Sequence, residues 1–222
     1  VLELSSFQLQ SLASLSASPQ IAVVTNFSPN HLDWHGSINN YRRAKQGILN
    51  NQGGRDFAVL SQDDPTVSRW PACSQRLWFG MSDLGRQGVF QIAHNVSIRM
   101  RGTETVLPCD TWPTPPGEHN RQNALAAACA ALAAGVRVAD IARGLSEFQP
   151  LPHRLQFVAE VDGRSFYNDS LATTPESAIA ALRAFDAPIV LLAGGYDKQV
   201  DLSGFAAAIA ERVKAVALMG QT

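Results

Sequence analysis

Ile21-Ala22-Val23-Val24-Thr25 constrains the fold most: a short, β-branched apolar run that passes directly into a polar stretch, Asn26 to Asp33. Such a run reads as a fully buried parallel strand. Its polar continuation then emerges at the strand's carboxyl end, where open α/β sheets place their ligands. Ile38 to Leu49 follows with the spacing of an amphipathic helix, and Phe57-Ala58-Val59-Leu60 is a further strand. Strand, helix, strand in that order fixes an α/β class.

The rest of the chain extends this alternation. Asp63-Asp64-Pro65 is a helix-start or turn signal, and Leu77 to Leu107 breaks into short pieces separated by glycines, which suits a small antiparallel region. Thr111 to Gly117 is a proline-rich rigid linker into a helix from about Asn120 to Ala134, ended by Gly135. Val138 to Phe148 gives one more helix. Gln149-Pro150-Leu151-Pro152 then breaks helix and strand alike, so the expected domains are 1–150 and 151–222. The second begins with a hairpin, Leu155 to Val161 and Ser165 to Tyr167, turning at Asp162-Gly163. Helix 175–185, strand 188–193, helix 202–213 and strand 215–219 complete it as a truncated Rossmann-like domain.

A net charge of −1 gives no reason to expect nucleic acid or a membrane surface as partner. No stretch reaches the roughly 18 apolar residues of a membrane span. The three cysteines, Cys73, Cys109 and Cys129, are widely spaced with no C-x-x-C pair, which reads as a reducing cytoplasm. Val1 opens inside a buried-strand pattern without methionine or a basic leader, so the expectation is an internal piece of a longer chain.

Three scattered polar groups carry the chemistry: Glu3, His31 in Asn30-His31-Leu32-Asp33, and Lys45 in Tyr41-Arg42-Arg43-Ala44-Lys45. A carboxylate and an imidazole suit a metal. An ammonium repels Mg2+ unless its charge changes or it reaches past the metal to a phosphate, and that points to phosphoryl chemistry. Each has an ordinary reading beside this one: a strand-end carboxylate, a surface or helix-capping histidine, a solvated helix lysine.

These residues, with Val1 to Leu9, Gly117-Glu118-His119-Asn120 and Asn123, Pro152-His153-Arg154, Asn168-Asp169-Ser170 and Ala172-Thr173-Thr174-Pro175, resemble the successive motifs of the Mur ligases. These are ATP-dependent amide-forming enzymes of peptidoglycan synthesis. Asn168-Asp169-Ser170 and Gly194-Gly195-Tyr196-Asp197-Lys198 most resemble the D-glutamate-adding branch. Leu171 departs from the lysine many relatives carry there.

The resemblance implies the remainder of a P-loop-type central ATPase domain over 1–150, followed by the Rossmann-like domain. It implies a cytoplasmic monomer acting on UDP-N-acetylmuramoyl-L-alanine, D-glutamate and ATP. Glu3, His31 and Lys45 are implied as catalytic residues and Mg2+ ligands, with Lys45 carbamylated by CO2. His119, Asn120, Asn123, Arg154 and Asp169 are implied at ATP, and Ser5, Gln8, Thr173 and Lys198 at the other substrates. Asn120 has a second reading as a helix N-cap.

No Gly-x-x-Gly-Lys-Ser/Thr phosphate cradle occurs, so these 222 residues are expected to be inactive alone. Another amide ligase of the superfamily, folylpolyglutamate synthase-like or L-glutamate-adding, stays open. So does a nucleotide-binding module that does not catalyse. The absence of a Tyr-Ala-His-x-Pro-like motif at Asn168 argues against the branch that adds diaminopimelate or lysine.

Overall fold

The computed structural model describes residues 1–28, 31–109, 112–196 and 200–221. They form two compact units, one of residues 1–112 and 122–147, the other of 113–121 and 148–222.

The first unit is a six-stranded sheet in the order β1 (Ile21–Val24), β2 (Phe57–Ser61), β3 (Gln75–Gly80), β4 (Gly88–Ile92), β5 (Asn95–Met100), β6 (Thr103–Pro108). β1 to β4 run parallel and β4, β5 and β6 form an antiparallel meander. The antiparallel pieces expected between Leu77 and Leu107 are thus part of the same sheet, and β3 and β4 are parallel. A short connection suffices between these two because they are staggered: Gly88, the first residue of β4, pairs with Trp78 midway along β3. That stagger demands glycine. At φ 143°, a Cβ on Gly88 would lie 1.7 Å from the Trp78 carbonyl oxygen.

β2 explains why the sheet is packed on both faces. Its Val59 belongs to a core with Leu125, Cys129 and Ile141, from α4 (Glu118–Ala133) and α5 (Val138–Ser146). Ala58 and Leu60 belong to an opposite core with Leu49, Val67 and Trp70. A strand buried on both faces is written as a continuous apolar run. β1 departs from expectation here: among the described residues it lies at the sheet edge, Ala22 and Val24 are buried, and Val23 is exposed. Cys129 is a packing residue, its thiol pushed up to about 12 by burial.

The buried strand expected at the chain start is also corrected. Val1 to Leu4 pair with no strand among the described residues, and Val1, Leu2 and Glu3 are exposed. A strand exists only where a neighbour takes its backbone hydrogen bonds. Regular structure begins with α1 (Ser6–Leu12), followed by a 3-10 turn.

The second unit holds an antiparallel hairpin, β7 (Gln156–Val161) and β8 (Arg164–Asn168), and a separate parallel pair, β9 (Ile189–Gly195) and β10 (Val213–Gly220). Asp162 and Gly163, both with positive φ, form the two-residue turn the sequence predicts. α6 (Pro175–Arg183) packs on α7 (Ser203–Arg212), and α7 on β10. Thr174 caps α6, its hydroxyl accepting from the Ser177 N–H. Among the described residues, no helix is long and apolar enough to cross a membrane.

Candidate active site

In the first unit, the expected residues lie around a buried aromatic ladder. α2 (Leu32–His35) and α3 (Ile38–Gln46) follow β1, and the Ser37 hydroxyl caps α3 by accepting from the Asn40 N–H. His35 sits at the centre. Its Nε2 is 3.0 Å from the Ser6 hydroxyl, its backbone oxygen accepts from Asn40 Nδ2 at 2.8 Å, and its ring stacks on Phe7 at 5.6 Å. Tyr41 packs on His35 and on Phe27, both at 5.3 Å, and Phe27 meets Trp70 edge-on. Asp64 anchors the far end, one carboxylate oxygen accepting from the Phe27 N–H and the other from those of Thr66 and Val67.

Lys45 lies one turn beyond Tyr41, with its Nζ 5.6 Å from the centre of that ring. Burial holds its ammonium below the ordinary lysine range, while the Glu3 carboxylate works in the opposite direction. The structure therefore brings Glu3 and Lys45 within each other's field. His31 is exposed at the N-terminus of α2 with φ 52°, its ring 5.0 Å from Phe7. No three His, Cys, Asp or Glu side chains among the described residues form a metal group, and the expected set contains only two of these types. An open cavity of about 300 Å³ beside α3, lined by Leu9, Gln10, Trp34, His35, Asn40 and Arg43 among others, contains none of the three.

The donor chemistry fits Mg2+ in part. Glu3 offers hard oxygens, whereas imidazole is an unusual partner for Mg2+. Lys45 fits only after its charge has been changed.

Ser5 and Gln8 have a structural task. The Ser5 N–H donates to Gln8 Oε1 at 2.8 Å and the Gln8 N–H donates to the Ser5 hydroxyl at 3.3 Å. This reciprocal capping box starts α1. His35 was passed over in the sequence. Gly36 and Ser37 break the helix between His35 and Tyr41, so no periodicity in the sequence marks the pair.

In the second unit, His119, Arg154 and Asp169 share one electrostatic neighbourhood. Burial pushes the His119 imidazole down, Asp169 raises it and Arg154 lowers it. Gly117 makes room: at φ 105°, a Cβ would lie 2.8 Å from His119 Cε1 and 2.9 Å from the Ala184 Cβ. Asn120 is buried, but it stands in the first turn of α4 rather than at its N-cap, and its Nδ2 donates to the Pro116 oxygen at 2.7 Å. Asn123, exposed on α4, belongs to the first unit. Asp169 Oδ1 accepts from the Leu155 N–H at 2.9 Å. Thr173 is exposed ahead of α6, and the Leu171 N–H donates to the His153 oxygen. Lys198 and Asp197 lie outside the described residues.

Comparison with known proteins also gives two parts. The Mur ligase middle domain matches residues 1–131, and the Mur ligase glutamate ligase domain matches residues 153–222. A UDP-N-acetylmuramoylalanine--D-glutamate ligase from Symbiobacterium thermophilum is 42% identical over 226 residues, covering 100% of this chain and 49% of its own length. One from Acidobacterium capsulatum is 43% identical over 225 residues, covering 99% of this chain and 48% of its own. The chain thus spans about half the length of the curated relatives it matches. The MurF ligase from Thermotoga maritima in complex with ADP shares the fold, with a TM-score of 0.63 at 20% identity over 93% of this chain and 50% of that one. Matched by the middle-domain pattern over more than half its length, the chain belongs to the Mur ligase family.

Proposed function

We propose that the enzyme containing this chain joins D-glutamate to UDP-N-acetylmuramoyl-L-alanine at the expense of ATP, a cytoplasmic step in peptidoglycan and hence cell-wall synthesis. The observation that carries the reading is similarity at about 40% identity, over the whole chain, to relatives named for that reaction. An L-alanine carboxylate oxygen attacks the γ-phosphorus, the bond to the β,γ-bridging oxygen breaks, and ADP leaves. The amine of D-glutamate then adds to the acyl phosphate, and the tetrahedral intermediate expels phosphate to leave the amide.

Lys45 contributes by losing its charge. Its neutral amine attacks CO2, a proton leaves the nitrogen, and a carbamate with carboxylate-like oxygens results. The depressed lysine pKa supports this, because only the neutral amine reacts. Glu3, His31 and the Lys45 carbamate would hold Mg2+, which when bound neutralises oxygens that gain charge during transfer. Arg154, Asp169, His119, Asn120 and Asn123 serve ATP. Ser5, Gln8 and Thr173 serve substrate binding, Ser5 and Gln8 in addition to capping α1, and Lys198 serves the glutamate carboxylates. The domains are assigned as 1–150 and 151–222.

The test is phosphate release by the full-length enzyme. Turnover should require ATP, the muramoyl substrate and D-glutamate together, and residues 1–222 alone should give none. Efficient use of L-glutamate, or of a folate substrate, would transfer the chain to another branch of amide ligases. Lys198→Ala should raise the KM for D-glutamate roughly tenfold or more and leave that for ATP unchanged, as loss of one charge-assisted contact requires.

A further inference from the structure

Asn168, given no role of its own above, sits where the hydrogen-bond donors and acceptors of the second unit leave one arrangement. The Ser170 backbone N–H points at Asn168 Oδ1 at 3.0 Å. A backbone N–H only donates, so the amide oxygen must face it. The amide NH2 therefore faces His153 Nδ1, 2.9 Å away. That group also only donates, so Nδ1 accepts and the neutral imidazole carries its proton on Nε2. Turning the amide round would set NH2 against N–H.

The same pair belongs to a set of bonds tying residues 153–156 to 168–171. The Leu171 N–H donates to the His153 oxygen at 3.0 Å, and the Leu155 N–H donates to Asp169 Oδ1 at 2.9 Å. The His153 N–H donates to Gln156 Oε1 at 2.9 Å, closing the turn. These bonds hold an unfavourable backbone: His153 has φ 64° and Leu155 φ 43°, both left-handed and neither glycine. Such residues persist only where their surroundings over-determine them. Arg154 lies between the two.

We infer that Asn168 is a positioning residue: it holds His153 in the Nε2-protonated tautomer and, through that pair, fixes the backbone from which Arg154 leaves. The consequence for ATP rests on the ligase reading above; the tautomer does not. The full-length enzyme is labelled with 15N-histidine, and the His153 signals are assigned by their loss in His153→Gln. The wild type should show the Nε2–H pattern. In Asn168→Asp both oxygens accept, so one keeps the Ser170 N–H and the other draws a proton onto Nδ1. Asn168→Leu should give a mixture of tautomers, and both variants should raise the KM for ATP about tenfold while leaving that for D-glutamate unchanged. A wild-type Nδ1–H pattern, or a pattern indifferent to Asn168→Asp, overturns the tautomer assignment. Equal changes in both KM values, accompanied by lower thermal stability, overturn the positioning of Arg154. Should the enzyme not use ATP at all, the ligase reading falls and the spectra alone decide the tautomer.

Discussion

The neighbourhood of Lys45 and that of Arg154 are built by opposite means. Around Lys45, α1, α2 and α3 bring aromatic rings against one another, and the lysine sits over Tyr41, which packs on His35. Around Arg154, His153 and Leu155 are left-handed on either side, and side-chain amides and carboxylates hold the backbone through single hydrogen bonds. Burial sets the charge state of a group, whereas a hydrogen-bond staple sets its direction. Substitutions should therefore fail differently in the two places: through stability and charge in the first, through substrate affinity in the second.

The largest effect expected is at Lys45. In the full-length enzyme Lys45→Ala should lower kcat on the order of 100- to 1000-fold, the range for losing one group that stabilises developing charge. Acetate or formate should restore part of the loss, since a small anion replaces a carbamate. Rescue by methylamine and not by the anions would mean that Lys45 acts as a cation.

Tyr41→Ala should cost about 3 to 5 kcal/mol of stability in denaturant titration, as for other large aromatic side chains removed from a core. It should also return Lys45 towards an ordinary lysine environment. A loss below about 1 kcal/mol would show that the ladder is not what holds this region. Arg154→Ala is the counterpart. Arg154 is exposed, so stability should stay within about 0.5 kcal/mol of wild type. The KM for ATP should rise roughly tenfold to more than a hundredfold, the worth of a charge-assisted contact. A stability loss as large as that of Tyr41→Ala would erase the contrast between the two regions.

The elements were legible where periodicity and punctuation agreed: β2, α3, the hairpin at Asp162-Gly163 and α6 all fall where the sequence places them. What stayed hidden depends on partners distant in the chain. Nothing local tells that Val23 is exposed in β1, or that β3 and β4 are parallel with a stagger that makes Gly88 obligatory. In the candidate site, residue type alone singles out Glu3, His31 and Lys45 as candidates. It passes over His35, because its importance comes from being buried between Ser6, Phe7 and Tyr41, which burial alone reveals. Asn168 stayed hidden for a related reason: its role follows from which of two amide atoms the Ser170 N–H selects.

The smallest effect expected separates capping from substrate contact at Ser5. The Ser5–Gln8 box satisfies two backbone N–H groups at the start of α1, and α1 carries Ser6 and Phe7 into the ladder. If capping is the whole task, Ser5→Ala should cost about 1 kcal/mol of stability and leave kcat and every KM unchanged. Gln8→Ala should behave alike, while Gln8→Glu should keep the box, since glutamate serves equally at this third helical position. If Ser5 instead touches the muramoyl substrate, its KM should rise in Ser5→Ala and stay at the wild-type value in Gln8→Glu. Parallel losses of stability across Ser5→Ala and Gln8→Ala, with kinetics intact, would assign both residues to the helix and remove them from the substrate site.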